Sequence, residues 1–516
     1  MKGDFTRVTF KPEKNFSRVL SQQGRVSIDA DSAEQTAILL HYLRTLAQDI
    51  IGPHGAPSGQ QGGFELTLDN EGRPNIEAGR YYVDGIMVEN AERCLYTAQA
   101  DYPLPENDPL KLFLENPAQT EGVWLYLDVW ERLITPIEDD SIREKALGGP
   151  DTCVRAKIVW QLKSISPEDI KLGMRTDMEE KISAAAKKKV VKATKSAIKK
   201  STATVKQKAS AAATQKASAA KLTSEKAPAT EAAATEAEGN TELADYEQEG
   251  CLQLREFLNN QGRPLMAAQI DSREITRNPC TIAPEAKYRG AENQLYRIEI
   301  HRSGTADTAT FSWSRENGSV ATAWLASAGN SLTVANSRGF SAGNWVELSD
   351  DTLELQGESG VLVKLANVEG DTLVLDENSI ASGQEEGVIW FQGMINPKIR
   401  RWDQTESGDI ILSQGAVPVV AQESQQDGWI NLEDGVQIRF APDGYFHSAD
   451  YWLIPARVAT GNIEWPEDKA LNQAAWLPPH GIEHHYAPLG FMAMVQGVLK
   501  LETNCRCEFN PIRACL

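Results

Sequence analysis

No run of about 18 apolar residues occurs in this sequence, so no segment reads as a membrane-spanning helix. The opening stretch, MKGDFTRVTFKPEKNF, has no apolar h-region, and no secretory signal is expected there. Nucleotide-binding loops are missing: neither G-x-x-x-x-G-K-[ST] nor a strand, G-x-G-x-x-G and helix in succession is found. G-x-S-x-G occurs once, at Gly339–Gly343, but no helical pattern follows it, which leaves the α/β-hydrolase elbow unsupported. Cysteine is scarce. The seven residues, at 94, 153, 251, 280, 505, 507 and 515, are odd in number and scattered, unlike a secreted disulfide framework. Cys505, Cys507 and Cys515 offer thiolates for zinc, but C-x-C lacks a second spaced pair, so free or buried thiols are expected. Together these absences describe a chain cytoplasmic at synthesis.

What is present suits a β-rich protein. A chain of 516 residues is too long for one core and predicts two to four domains. Its 38 glycines and 12 tryptophans fit turn-dense sheets built around aromatic anchors. The net charge is −20, yet eleven lysines fall between Lys187 and Lys221 with no acid among them. An acidic body with one basic segment argues against a folded surface that grips nucleic acid. That segment, within Glu180–Asn240, is Ala, Lys, Thr and Ser with hardly any large apolar side chains. It cannot bury enough surface to offset ordering entropy, and an extended spacer is expected. Residues 187–221 also suggest weak contact with an anionic membrane or nucleic acid.

The expected organisation has four parts. Residues 1–165 form an α+β docking module and 166–249 a disordered linker; 250–400 hold a small barrel-like β unit, and 401–516 a β-rich module. The fold class is mainly β with minor α. In the first part, Asp31 and Glu34 read as a capping box, Ile38, Leu39, Tyr42, Leu43, Leu46 and Ile50 as the apolar stripe of a long helix, and Gly52-Pro53 as its stop. Asp29 and Asp31 resemble a D-x-D metal pair, but capping explains them better. Asp84-Gly85, Asn317-Gly318 and Asp443-Gly444 each predict a tight hairpin. Gly122–Ile134 and Cys153–Ile165 read as paired long strands, with a short glycine-closed helix between them. Residues 331–377, broken every eight to twelve residues by turn formers, predict a small bent barrel or sandwich.

The cluster His480, His484 and His485, in PPHGIEHHYAPLG, is a third candidate for metal chemistry. Helical spacing would align His480 with His484, but Pro478, Pro479 and Gly481 oppose helix, and Glu483 is misplaced for H-E-x-x-H. An architectural loop is expected, its imidazoles bonded to backbone and packed on aromatics such as Tyr486 or Trp476. Arg315 and Glu316 beside a turn read as a cross-strand ion pair, and Asp450 as a partner for Arg457 or a glycan ligand. No residue is assigned a catalytic, cofactor-binding or metal role, and no cofactor or small-molecule substrate is expected.

Several stretches, among them GRYYVDGIMVEN, ENQLYRIEIHRSG, TFSWSRENGSV, GNWVELSDD, DYWLIPAR and PPHGIEHHYAPLG, resemble a bacterial family of unassigned biochemical function. Its members are encoded with extracellular contractile injection systems and phage-tail-like particles. The likeness covers roughly residues 1–165 and 250–490. Asp31-Ser32-Ala33-Glu34 and Ala487 depart from the family pattern, and no catalytic residue is carried over. The resemblance implies a structural, baseplate-associated particle component that is not an enzyme, with other particle proteins as partners. Its alternatives are a glycan- or receptor-binding fibre protein and, third, a metal-dependent hydrolase using His480, His484 and His485.

Overall fold

The computed structural model describes residues 1–516 except 8, 60–61, 118–120, 172–240, 261, 272–286, 381–392, 408–409, 421–427, 472 and 511–516, and only the backbone of 241–248. The spacer therefore lies outside the described residues over 172–240. The linker expected over 166–249 is helical at both ends, over 167–171 and in Thr241–Asn259. The reason is apolar burial: Ile170, Leu254 and Leu258 pack together against Trp124, Tyr126 and Tyr486.

The molecule is mainly β, as its turn density requires. Asp84 and Gly85 both take positive φ (46° and 79°), the conformation of a type I′ turn, and Gly79–Val83 pairs with Ile86–Asn90 as a hairpin. Val123–Ile134 pairs antiparallel with Arg155–Ile165 along its whole length. The segment between them forms two 3-10 turns, not an α-helix, and Gly148 closes the second in the left-handed region.

Strand pairing crosses the divisions drawn from sequence. His485–Val495, near the C-terminal end, pairs with the other edge of Val123–Ile134, and Val498–Asn504 extends the same sheet. Glu508–Phe509 then pairs parallel with His54–Pro57. One core results, with Leu125, Leu127, Leu162, Ala487, Leu489 and Met492 together. Each such leucine, once fully buried, contributes roughly 1.5–3 kcal/mol. Local sequence pattern cannot show a pairing that spans hundreds of residues.

The rest holds a six-stranded closed barrel and a five-stranded sheet. The barrel runs Ala321–Ala328, Ser331–Val334, Thr372–Leu375, Val361–Glu369, Trp345–Ser349 and Lys398–Trp402 in spatial order. In the sheet, Gln294–Arg302 lies between Thr310–Ser314 and Tyr451–Arg457. Two expected hairpins are corrected here. Asn317 and Gly318 do make a positive-φ turn (51° and 62°), but Thr310–Ser314 stays in the sheet while Ala321–Ala328 enters the barrel. At Asp443-Gly444, Val436–Phe440 pairs with Met266–Ile270 and Tyr451–Arg457 pairs with Gln294–Arg302, so the flanking strands separate. Turn chemistry fixes where the chain reverses; distant apolar partners decide where each strand goes.

Candidate functional site

Two surfaces invite a functional reading, and they are built in opposite ways. The first is the junction where the N-terminal sheet, the barrel and the five-stranded sheet meet around a cavity of ≈ 250 Å³. Arg132, late in the long strand, bonds Asp351 and also Glu354 (3.1 Å) of the barrel's helix Asp351–Gln356. Lys398, on a barrel strand, reaches Glu138 (2.6 Å), Glu354 (2.9 Å) and Asp351 (3.1 Å). Glu138, Asp351 and Glu354 converge closely enough for a metal ion, but the Lys398 ammonium already sits among them. Burial by itself would raise the Glu354 carboxyl; Lys398, with Lys2 and Arg132, outweighs it and holds the acid well below the usual range. Burial by itself would lower Lys398; Glu354, Glu138 and Asp351 reverse that.

A second knot fixes the first residues of the chain. Arg297, 2 % exposed, bonds Glu299 (2.5 Å) and lies 3.7 Å over the Tyr451 ring. Lys2 reaches Glu299 at 2.6 Å, Arg297 donates to the Met1 carbonyl (3.0 Å), and Asn317 donates to the Gly3 carbonyl (2.8 Å). The Asn317 turn is therefore a socket for residues 1–3. Arg315 and Glu316 are ion-paired, though with other residues than expected: Arg315 with Glu433 (2.8 Å) and Glu316 with Arg401 (3.1 Å).

The histidine loop closes the junction, and its three imidazoles go to three separate elements. His480 Nδ1 accepts from the Leu453 N–H (3.0 Å), which requires that nitrogen unprotonated; burial lowers its pKa accordingly. His484 Nδ1 lies 2.7 Å from Asp128, whose other oxygen takes Lys163 at 2.7 Å. Trp130 and Tyr486 flank that ring, with centroids at 4.9 and 6.1 Å. His485 lies 3.1 Å from Asp84 at the hairpin turn. The expected packing on Tyr486 is present; His480 faces Trp465, not Trp476. Among the described residues the three do not gather as a metal ligand set, and no hydroxyl or thiol bonds to them.

Behind the loop lies a second cavity of ≈ 380 Å³, lined in part by Asp128, Trp130, Asp450 and His484. Burial pushes the Asp450 carboxyl up to about 7. Arg457 does not pair with it, because Glu464 holds that guanidinium at 2.8 Å. The cysteine expectation also needs correction. Cys505 forms a disulfide with Cys251, tying Thr241–Asn259 to the strands that complete the N-terminal sheet. Cys507 is a free thiol, and Cys515 lies outside the described residues. Nothing in the spacing of 251 and 505 signalled that bridge.

The second surface is the helix α1 (Asp29–Ile51). Its N-cap is Ile28, so Asp29 and Asp31 lie in the first turn, and Glu34 bonds Thr9 of the preceding segment in place of the helix end. Gly52 ends it as expected. Apart from Ile38, the apolar stripe faces outward. Only Ala30 and Ile38 are buried, while Leu39, Leu40, Tyr42, Leu43, Leu46 and Ile50 are exposed. Phe16, Leu20, Val26 and Ile28, just before the helix, are exposed as well.

Comparison with protein families matches residues 1–516 to a single description, family of unknown function (DUF6519). The chain belongs to this family. No curated protein and no solved structure matches it. DUF6519 membership thus covers both surfaces without assigning either a role.

Proposed function

We propose that this protein is a non-enzymatic structural part of a larger protein assembly, and that the assembly is a contractile, phage-tail-like injection apparatus with the protein at or around its baseplate. The observation that carries the structural reading is the outward apolar stripe of α1, with exposed apolar residues leading into it. Monomeric proteins seldom leave such a surface to water, and its common use is protein contact. The injection apparatus rests on the sequence resemblance. Junction chemistry supports the same reading, since its charged groups are taken up in holding parts of the chain together. The partners are then other particle proteins, met after synthesis in the cytoplasm, and residues 187–221 add a weak hold on an anionic membrane or nucleic acid.

Mass spectrometry of sedimented tail-like particles, from strains with and without the gene, tests this. The protein should be present, and its deletion should impair assembly or attachment; functional particles that never contain it would refute the proposal. A rival reading, a glycan- or receptor-binding fibre protein, draws on exposed aromatics such as Tyr445 and Trp476. Reproducible hits on a glycan array with the full chain would favour it.

A further inference from the structure

We propose that the second cavity, behind the histidine loop, is a binding site for a small neutral polyhydroxylated molecule the size of a single sugar ring. This goes beyond the structural reading and does not rest on it. It concerns one ring held within the fold, whereas the fibre reading concerns glycan chains met at the surface.

The floor of the cavity follows from strand geometry. Tyr126, Asp128 and Trp130 alternate along Val123–Ile134 and so share one face of that strand, while Leu125, Leu127 and Val129 turn to the core on the other. In the two neighbouring strands Lys163 stands opposite Tyr126 and Tyr486 opposite Asp128, which puts both on the same face. The walls come from elsewhere: Ile482 and His484 of the loop, Asn259 at the end of the helix Thr241–Asn259 with Arg263 beyond it, and the turn His447–Asp450. Ala449 in that turn has φ 69°, a left-handed conformation unfavourable for alanine and of the kind that gathers at ligand sites.

Polar groups here are left without partners, unlike those of the junction. Among the described residues the Tyr126 and Tyr486 hydroxyls and the Asn259 side-chain amide make no hydrogen bond, and Arg263 makes no ion pair. The closest base to the Asp450 carboxyl is His447, at 3.8 Å, beyond hydrogen-bond reach, although that carboxyl is only 18 % exposed. Burial without a close partner is what raises it.

Charge and shape select the guest. Asp128 is matched by Lys163 (2.7 Å) and Glu354 by Lys398 (2.9 Å), which leaves Asp450 and Arg263, one of each sign. An anion would meet the carboxylates of Asp128, Glu354 and Asp450, and a cation would meet Lys163 and Arg263, so neither gains. An apolar guest would take water from the hydroxyls, the amide and the carboxyl without replacing its hydrogen bonds. A planar ring needs an open aromatic face, yet Lys163 lies 5.4 Å over Trp130, and His484 packs against Trp130 and Tyr486 (4.9 and 6.1 Å). Hydroxyl groups, which both donate and accept, match what remains: the donors of Arg263 and Asn259, an acceptor carboxyl, and two phenols that do either. At ≈ 380 Å³ the space is near the lower end for small-molecule sites, which suits one ring better than a chain.

Isothermal titration of the full chain with D-glucose, D-galactose, N-acetyl-D-glucosamine and myo-inositol, each to about 20 mM, tests the site, with choline and inorganic phosphate as charged probes. At least one of the four neutral compounds should bind, with Kd between about 0.1 and 5 mM. Asp450→Asn should weaken that binding at least about tenfold and Tyr126→Phe about threefold, and a thermal melt shows that each variant is folded. Tyr126→Phe removes a single oxygen and carries the test if Asp450→Asn does not fold. No binding by any of the four, tighter binding of choline or phosphate, or unchanged affinity in either folded variant would overturn the inference. Sedimented particles test the structural reading separately, and it stands or falls without this result.

Discussion

The junction and the outer face of α1 dispose of their side chains in contrary ways. At the junction, Lys398, Arg132, Arg297 and the three clustered histidines each have a partner within the chain, and those partners come from distant parts of it. On α1, six large apolar side chains face outward. The first region explains how a chain of separate sheets and a barrel holds together. The second has no such internal purpose, and its physical cost is relieved only by contact with something else. Function is therefore sought where interactions are lacking and not where they are dense, although the dense region holds the histidines that first attract attention.

The largest expected effect breaks the junction. Lys398→Met leaves Glu138, Asp351 and Glu354 together without their ammonium, and should cost roughly 3–5 kcal/mol, as removal of one partner from a buried ion cluster does. Denaturant unfolding reads this, and a loss below about 1 kcal/mol would show that the cluster is not what joins barrel to sheet. Next, Cys251→Ser with Cys505→Ser should remove roughly 2–5 kcal/mol. The same loss should follow reduction of the wild type, and an unchanged melting temperature on reduction would contradict it.

A third substitution should stabilise. Burial raises the Asp450 carboxyl to about 7, against about 3.9 in an unfolded chain. A raised carboxyl costs nothing below its unfolded value, and stability is lost as pH rises from about 4 through about 7. Asp450→Asn should therefore gain on the order of 2–4 kcal/mol at pH 8 and almost nothing at pH 4. A gain independent of pH would remove the buried acid as its cause. The smallest effect sharpens the contrast from the other side. Leu43→Glu with Leu46→Glu should change the stability of the isolated monomer by less than about 1 kcal/mol, since exposed side chains leave no cavity behind. A loss as large as that of Lys398→Met would mean that α1 packs inward after all.

Local signals in the sequence carried much of the fold. Asp84-Gly85 marked a true hairpin because both positions accept positive φ, and the turn-broken run from Ser331 to Leu375 supplies barrel strands. Asn317-Gly318 marked a turn equally well, yet its strands part, because strand partners follow burial between residues far apart in sequence. The same distance hid the pairing of His485–Val495 with the long strand, the Cys251–Cys505 bridge and the Lys398 cluster. The α1 stripe was legible as apolar and helical, but periodicity cannot say whether an apolar face meets the chain's own core or another molecule. At the histidine loop, Pro478, Pro479 and Gly481 rightly argued against helix; which groups the imidazoles would find was not readable, since Asp128 and Asp84 lie hundreds of residues away.

The most direct test of an outward-facing α1 is its incorporation into the assembly. Particles would be sedimented from cells carrying either the wild-type gene or the Leu43→Glu, Leu46→Glu variant, and the protein quantified in pellet and supernatant. The account predicts wild-type protein in the pellet and a variant that is folded, soluble and at least about tenfold depleted there, as expected for losing two buried apolar contacts. A variant that enters particles as fully as the wild type would contradict it.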